Sequence, residues 1–218
     1  MWLRGFKSLP VRHFPKMKAK LIPIVALALL AIDYFTPARF SFVPYKSLIL
    51  LVAAPLLYLL LIGEKPGAFG LSWGNKRLAA KYFAILFTLA IPVMLYGATL
   101  PEFRSYYPIY KPAAYSIKAF ALFESTVFLT MLATEFFFRG FLLFGLRRYF
   151  TQNAAIFLHT IPYALAHIGK PTLEVYYSFF VGMIFAYADL KSGSILPSLA
   201  LHFVSSVVFD AFVILQLF

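Results

Sequence analysis

Apolar residues fall into seven runs along the chain, at about residues 21–35, 47–62, 78–100, 115–132, 153–167, 173–190 and 195–218. Short stretches rich in Lys, Arg, Gly or Pro separate them. A run that crosses hydrocarbon must satisfy its backbone amides internally, so the pattern predicts membrane-spanning helices. The fourth run continues past 132 through Ala133-Thr134-Glu135-Phe136-Phe137-Phe138-Arg139-Gly140 to Arg147 and Arg148, which predicts a helix projecting beyond the bilayer. The fifth is short and carries Pro162, and Gly169-Lys170-Pro171 breaks the chain after it. Residues 101–112 hold three prolines, beside four tyrosines up to Tyr115, and read as an extended loop with an aromatic belt. The expected fold class is therefore all-α: a polytopic membrane helical bundle of about seven transmembrane segments with a polar intramembrane site. Its expected organisation is a basic cytoplasmic or interfacial leader at 1–20, N-terminal transmembrane segments over 21–114, and a core over 115–218.

Composition agrees with that reading. The 218 residues are 62% hydrophobic and 13% charged, with a mean hydropathy of +0.82, whereas soluble domains carry about 25% charged residues. Cysteine is absent, which excludes disulfides, thiolate metal sites and a Cys nucleophile. The net charge of +12 sits between the apolar runs, where it sets topology against anionic lipid. No soluble basic domain or recognition motif supports a nucleic-acid partner. With the N-terminus inside, Lys65, Lys76, Arg77, Lys81, Arg147, Arg148 and Lys191 join the six basic residues of the leader on the cytoplasmic side. Arg39, Lys46, Arg104, Lys111, Lys118 and Lys170 fall on the other, so the bias favours a cytoplasmic N-terminus. No small-residue cleavage site follows the first run, which reads as a retained span.

The chemistry lies where polar residues interrupt apolar runs. An ionised group at a helix centre in a bilayer costs at least ~2.5–3.5 kcal/mol, so Glu135 and Arg139 require a reason. Their spacing of four lets them meet on one helix face, as a structural ion pair or as part of a site. Tyr163 and His167 share a face in the same way, as do His202 and Ser206, with Asp210 continuing that face at some drift. His159 fits a packing role. Taken together, a carboxylate, two imidazoles and a hydrogen-bonding side chain can activate water for attack on a peptide bond. The zinc motif H-E-x-x-H and the serine elbow G-x-S-x-G are both absent. A proton relay in a transporter would use the same acid and histidines, but no inverted repeat is visible.

The ordered set Glu135-x-x-x-Arg139-Gly140, Tyr163-x-x-x-His167, and Gly193-Ser194-Ile195-Leu196-Pro197 followed by His202 resembles the CPBP family, the CAAX proteases and bacteriocin-processing enzymes. The resemblance covers about residues 120–210. It implies an intramembrane endopeptidase of a prokaryotic inner membrane, acting on a membrane-anchored protein or peptide tail within the lipid bilayer. It also implies that an acid of the first motif activates water, assisted by His167 and His202 as oxyanion donors or around a divalent metal such as zinc. In the metal-dependent form Glu135, His167 and His202 would be the ligands; the glutamic form needs no cofactor. The sequence departs from the family twice. Thr134 stands where the first Glu of Glu-Glu-x-x-x-Arg is usual, leaving Glu135 as the acid, and Ser206 stands where Asn or Asp is usual. The expected site is thus Glu135, His167, His202, Arg139, Ser206 and Thr134. The departures keep a second reading open, an inactive relative with a binding, immunity or scaffolding role.

Overall fold

A computed structural model describes residues 20–216; the expected basic leader, apart from Lys20, lies outside the described residues. All regular structure among these residues is helical. In chain order the α-helical elements are α1 (Ile22–Phe35), α2 (Val43–Leu61), α3 (Lys76–Thr99), α4 (Pro101–Tyr106), α5 (Ile117–Leu146), α6 (Gln152–Leu165), α7 (Thr172–Ser192) and α8 (Leu196–Leu215). Five of them, α2, α3, α5, α7 and α8, are long and apolar enough to cross a membrane. Both α1 and α6 have 14 residues, about 21 Å at 1.5 Å per residue, short of a hydrocarbon core of about 30 Å. The seven expected runs are thus all helices, and five of them are long and apolar enough for a full span.

Polar caps fix where several helices start. Asn75 accepts from the Leu78 amide at 3.0 Å to open α3, while Ser116 and Thr151 do the same at 3.4 Å for α5 and α6. Such caps satisfy amides that have no partner within the helix. Leu57, Leu60, Leu89, Val93, Phe180 and Ile184 remain exposed on the outside of the bundle, as lipid-facing surface requires.

The long helix α5 changes character along its length. From Ile117 to Glu135 it is a regular α-helix, and from Phe136 to Leu143 it widens into π-helical turns. Every residue from Glu135 to Leu143 is buried. Around this widened segment Phe136, Phe137, Phe138 and Phe141 pack with Ile22, Leu59 and Phe69. Gly140 is needed here, because a Cβ would lie 2.8 Å from the Phe69 carbonyl oxygen. π turns are rare and concentrate at functional sites; this one begins immediately after Glu135. Packed on α5 are α6 on one side and α8 on the other, with α7 between those two and α3 along α8.

Candidate active site

Glu135 points into the bundle and is fully buried. Its Oε1 accepts from His202 Nδ1 at 2.7 Å and from Arg139 Nη1 at 3.3 Å. A carboxylate only accepts, so this bond assigns the proton of His202 to Nδ1. The Nε2 edge of His202 then faces away from Glu135, and the His202 side chain is 21% exposed. One helix turn of α5 and one of α8, 67 residues apart in sequence, thus share a single carboxylate oxygen.

Arg139 is also fully buried. Its guanidinium carbon stands 3.7 Å from the centre of the Tyr163 ring and 5.7 Å from that of Phe185. Tyr163 reaches this position because α7 carries Gly182 at the crossing: a Cβ there would lie 2.8 Å from Tyr163 Cδ1. Tyr163 also meets His167 edge-on, with ring centres 4.6 Å apart, and His159 in a near-parallel stack at 6.2 Å. His159, Tyr163 and His167 follow at intervals of four, so one face of α6 and its C-terminal end is lined with rings.

His167 lies past the end of α6, in the turn leading to α7. Its Nδ1 donates to the Tyr163 carbonyl at 2.9 Å, which leaves the lone pair on Nε2. Burial, and then the Lys170 ammonium, push the imidazole pKa down to about 3. His167 is therefore neutral at physiological pH. It is coupled electrostatically to His202 across the site.

The two sequence departures take different places. Thr134 is half-buried, and its hydroxyl donates back to the Thr130 carbonyl at 2.9 Å within α5. Ser206, one turn beyond His202 on α8, is half-buried. Asp210 lies two turns beyond His202 and sits against Glu124 of α5, away from the histidines. Two residues absent from the expected site lie close to Glu135. Asp189 of α7 and Ser198 of α8 are both fully buried, and the Asp189 Oδ1 accepts the Ser198 amide at 3.0 Å. The Ser198 side chain faces both the Glu135 and the Asp189 carboxyls.

These donors do not fit a divalent metal. The Glu135 oxygen nearest His202 is already bonded to an Nδ1–H and to a guanidinium, and a cation beside Arg139 would be repelled. Among the described residues no three His, Asp or Glu side chains converge as a metal-holding group.

A latch closes the end of the bundle near His167. The Tyr107 hydroxyl donates to Glu174 Oε2 at 2.7 Å, Lys170 pairs with Glu174 Oε1 at 2.8 Å, and Glu102 Oε1 accepts the Thr172 amide at 2.6 Å. Burial and the Glu174 carboxylate raise the pKa of Tyr107, so its phenol stays protonated.

Residues 116–208 match the family model described as type II CAAX prenyl endopeptidase, Rce1-like. This agrees with the ordered motifs of α5, α6 and α8. Neither the curated proteins nor the solved structures contain a match to the chain.

Proposed function

From a multi-pass membrane chain whose residues 116–208 match the Rce1-like endopeptidase model, we propose a glutamic-type intramembrane endopeptidase. It hydrolyses a peptide bond in a membrane-anchored protein or peptide tail, and Glu135, His167 and His202 do the chemistry. The observation that carries this reading is the 2.7 Å contact between the fully buried Glu135 and His202. A carboxylate serving only to neutralise Arg139 would have no need of an imidazole from another helix.

The tautomers assign the roles. Glu135 Oε1 is committed to His202 and Arg139, while Oε2 has no hydrogen-bond partner. Oε2 takes the proton of the attacking water, with His167 Nε2 as a second acceptor that orients it. As the water oxygen bonds to the scissile carbonyl carbon, negative charge moves to the carbonyl oxygen. His202 donates to that charge from Nε2 only once that atom also carries a proton, with Glu135 then balancing the ring on Nδ1. Ser206 adds a hydroxyl on the same helix face. The proton held by Glu135 then passes to the leaving amide nitrogen, and the carbon–nitrogen bond breaks. Arg139 fixes the carboxylate in place. The bias of basic residues favours a cytoplasmic N-terminus.

A liposome assay with a reporter peptide ending in a prenylated cysteine and three further residues tests this. Glu135→Gln and His202→Ala should each abolish cleavage while leaving membrane insertion intact, and cleavage retained in both would sink the reading. Thr134, turned onto its own helix where the family carries an acid, favours a second reading: an inactive relative that binds such a tail. That protein would crosslink to the reporter and never cut it.

A further inference from the structure

We propose that Asp189 is a positioning residue of this site, holding the first turn of α8 so that His202 stays against Glu135. The proposal rests on the hydrolytic reading. Asp189 lies in the last turn of α7 and is fully buried, a costly place for a carboxyl with no task.

One of its oxygens serves α8. That helix begins at Leu196, with Ile195 at its cap position supplying no side-chain hydrogen bond and Pro197 having no amide hydrogen. Asp189 Oδ1 accepts the Ser198 amide at 3.0 Å, so a side chain from the neighbouring helix caps α8. His202 follows Ser198 by four residues, about one turn, so the height of that first turn sets the height of the imidazole.

The Ser198 side chain adds to the same turn: its hydroxyl donates to the Ile195 carbonyl at 3.1 Å, so Ser198 is held through both its amide and its hydroxyl at the start of α8.

Asp189→Leu removes the amide-accepting oxygen, whereas Asp189→Asn keeps it and the shape. In protein labelled with nitrogen-15 at histidine and held in lipid nanodiscs, the His202 Nδ1 resonance reports the bond to Glu135 without any turnover. It should move in Asp189→Leu and stay in Asp189→Asn, while the resonance of His159 stays in place in both. With the prenylated reporter, kcat should fall about 10- to 100-fold in Asp189→Leu at unchanged KM, the range typical of groups that orient a reacting ligand. A folded Asp189→Leu protein with an unmoved His202 resonance overturns the proposal. Where that variant does not fold, Asp189→Ala removes the same oxygen with a smaller side chain. An unmoved His202 resonance there overturns the proposal equally. Wild-type protein that cuts no reporter defeats the hydrolytic reading instead, and leaves the resonance to decide the position of His202.

Discussion

The Arg139 guanidinium carbon lies 3.7 Å from the centre of the Tyr163 ring, so the buried cation of α5 rests on an aromatic face supplied by α6. A desolvated cation–π contact is worth ~2 kcal/mol. Tyr163→Phe retains the face and should lower the unfolding temperature modestly. Tyr163→Leu removes it and should destabilise by about 2 kcal/mol or more. Thermal unfolding in detergent orders the three proteins; equal stability of the two variants would show that the ring face does not matter.

Breaking one side of the Glu135–Arg139 pair leaves the other buried and uncompensated, which costs about 3–5 kcal/mol. Arg139→Met should therefore lower stability sharply, and Glu135→Leu likewise. The double variant should be less destabilised than the two single losses added together, because neither charge remains. A thermal-unfolding cycle measures that difference, and strict additivity would contradict the contact.

Thr134 is a spectator in this geometry, since its hydroxyl is bonded to the Thr130 carbonyl. Thr134→Ala should leave cleavage of the prenylated reporter nearly unchanged. Thr134→Glu should not restore cleavage to Glu135→Gln, because side chains at 134 and 135 diverge by about 100° around the helix. Restored cleavage would relocate the base to position 134.

The neutral, buried His167 makes stability depend on pH in one direction. Its folded pKa of about 3 lies below the unfolded value of 6.5, so the unfolded chain binds more protons between these limits. Stability from this group is complete above pH 6.5 and is lost as pH falls, by about 2 kcal/mol on reaching pH 5. His167→Gln should remove that part of the acid sensitivity. Equilibrium unfolding at pH 7 and pH 5 for both proteins checks the sign.

Much of this arrangement is legible in the amino-acid sequence. The apolar runs place seven of the eight helices and miss α4, a short helix at Pro101–Tyr106 in what reads as an extended loop, where Pro101 opens the first turn; the spacing of four between Glu135 and Arg139 forecasts their contact, because both lie on a single helix. The partnership of Glu135 with His202 is legible only through the ordered motif set, since it joins α5 to α8. Asp189 gives no such signal: it stands two residues before Lys191 at the end of a run, where a charge reads as an interfacial anchor. In the fold it is fully buried and caps α8. The widened turns from Phe136 to Leu143 leave no trace in the sequence for another reason: with apolar residues almost throughout, no periodic contrast reports the hydrogen-bond register.

The loop before α3 is laced to the turn before α8. Asn75 donates its amide to the Ser192 carbonyl at 2.7 Å, Ser72 bonds the Gly193 carbonyl at 2.9 Å, and Ser194 returns a bond to the Ser72 carbonyl. Ile195 completes the set by donating its amide to the Gly70 carbonyl at 3.1 Å. Those four clasps join a stretch outside residues 116–208 to the turn from which α8, the helix that carries His202, begins. The segment that matches the family model is therefore not the segment that stands alone mechanically. Excised from the chain, it would keep Glu135, His167 and His202 and lose the four bonds that tie the turn before α8 to the loop before α3.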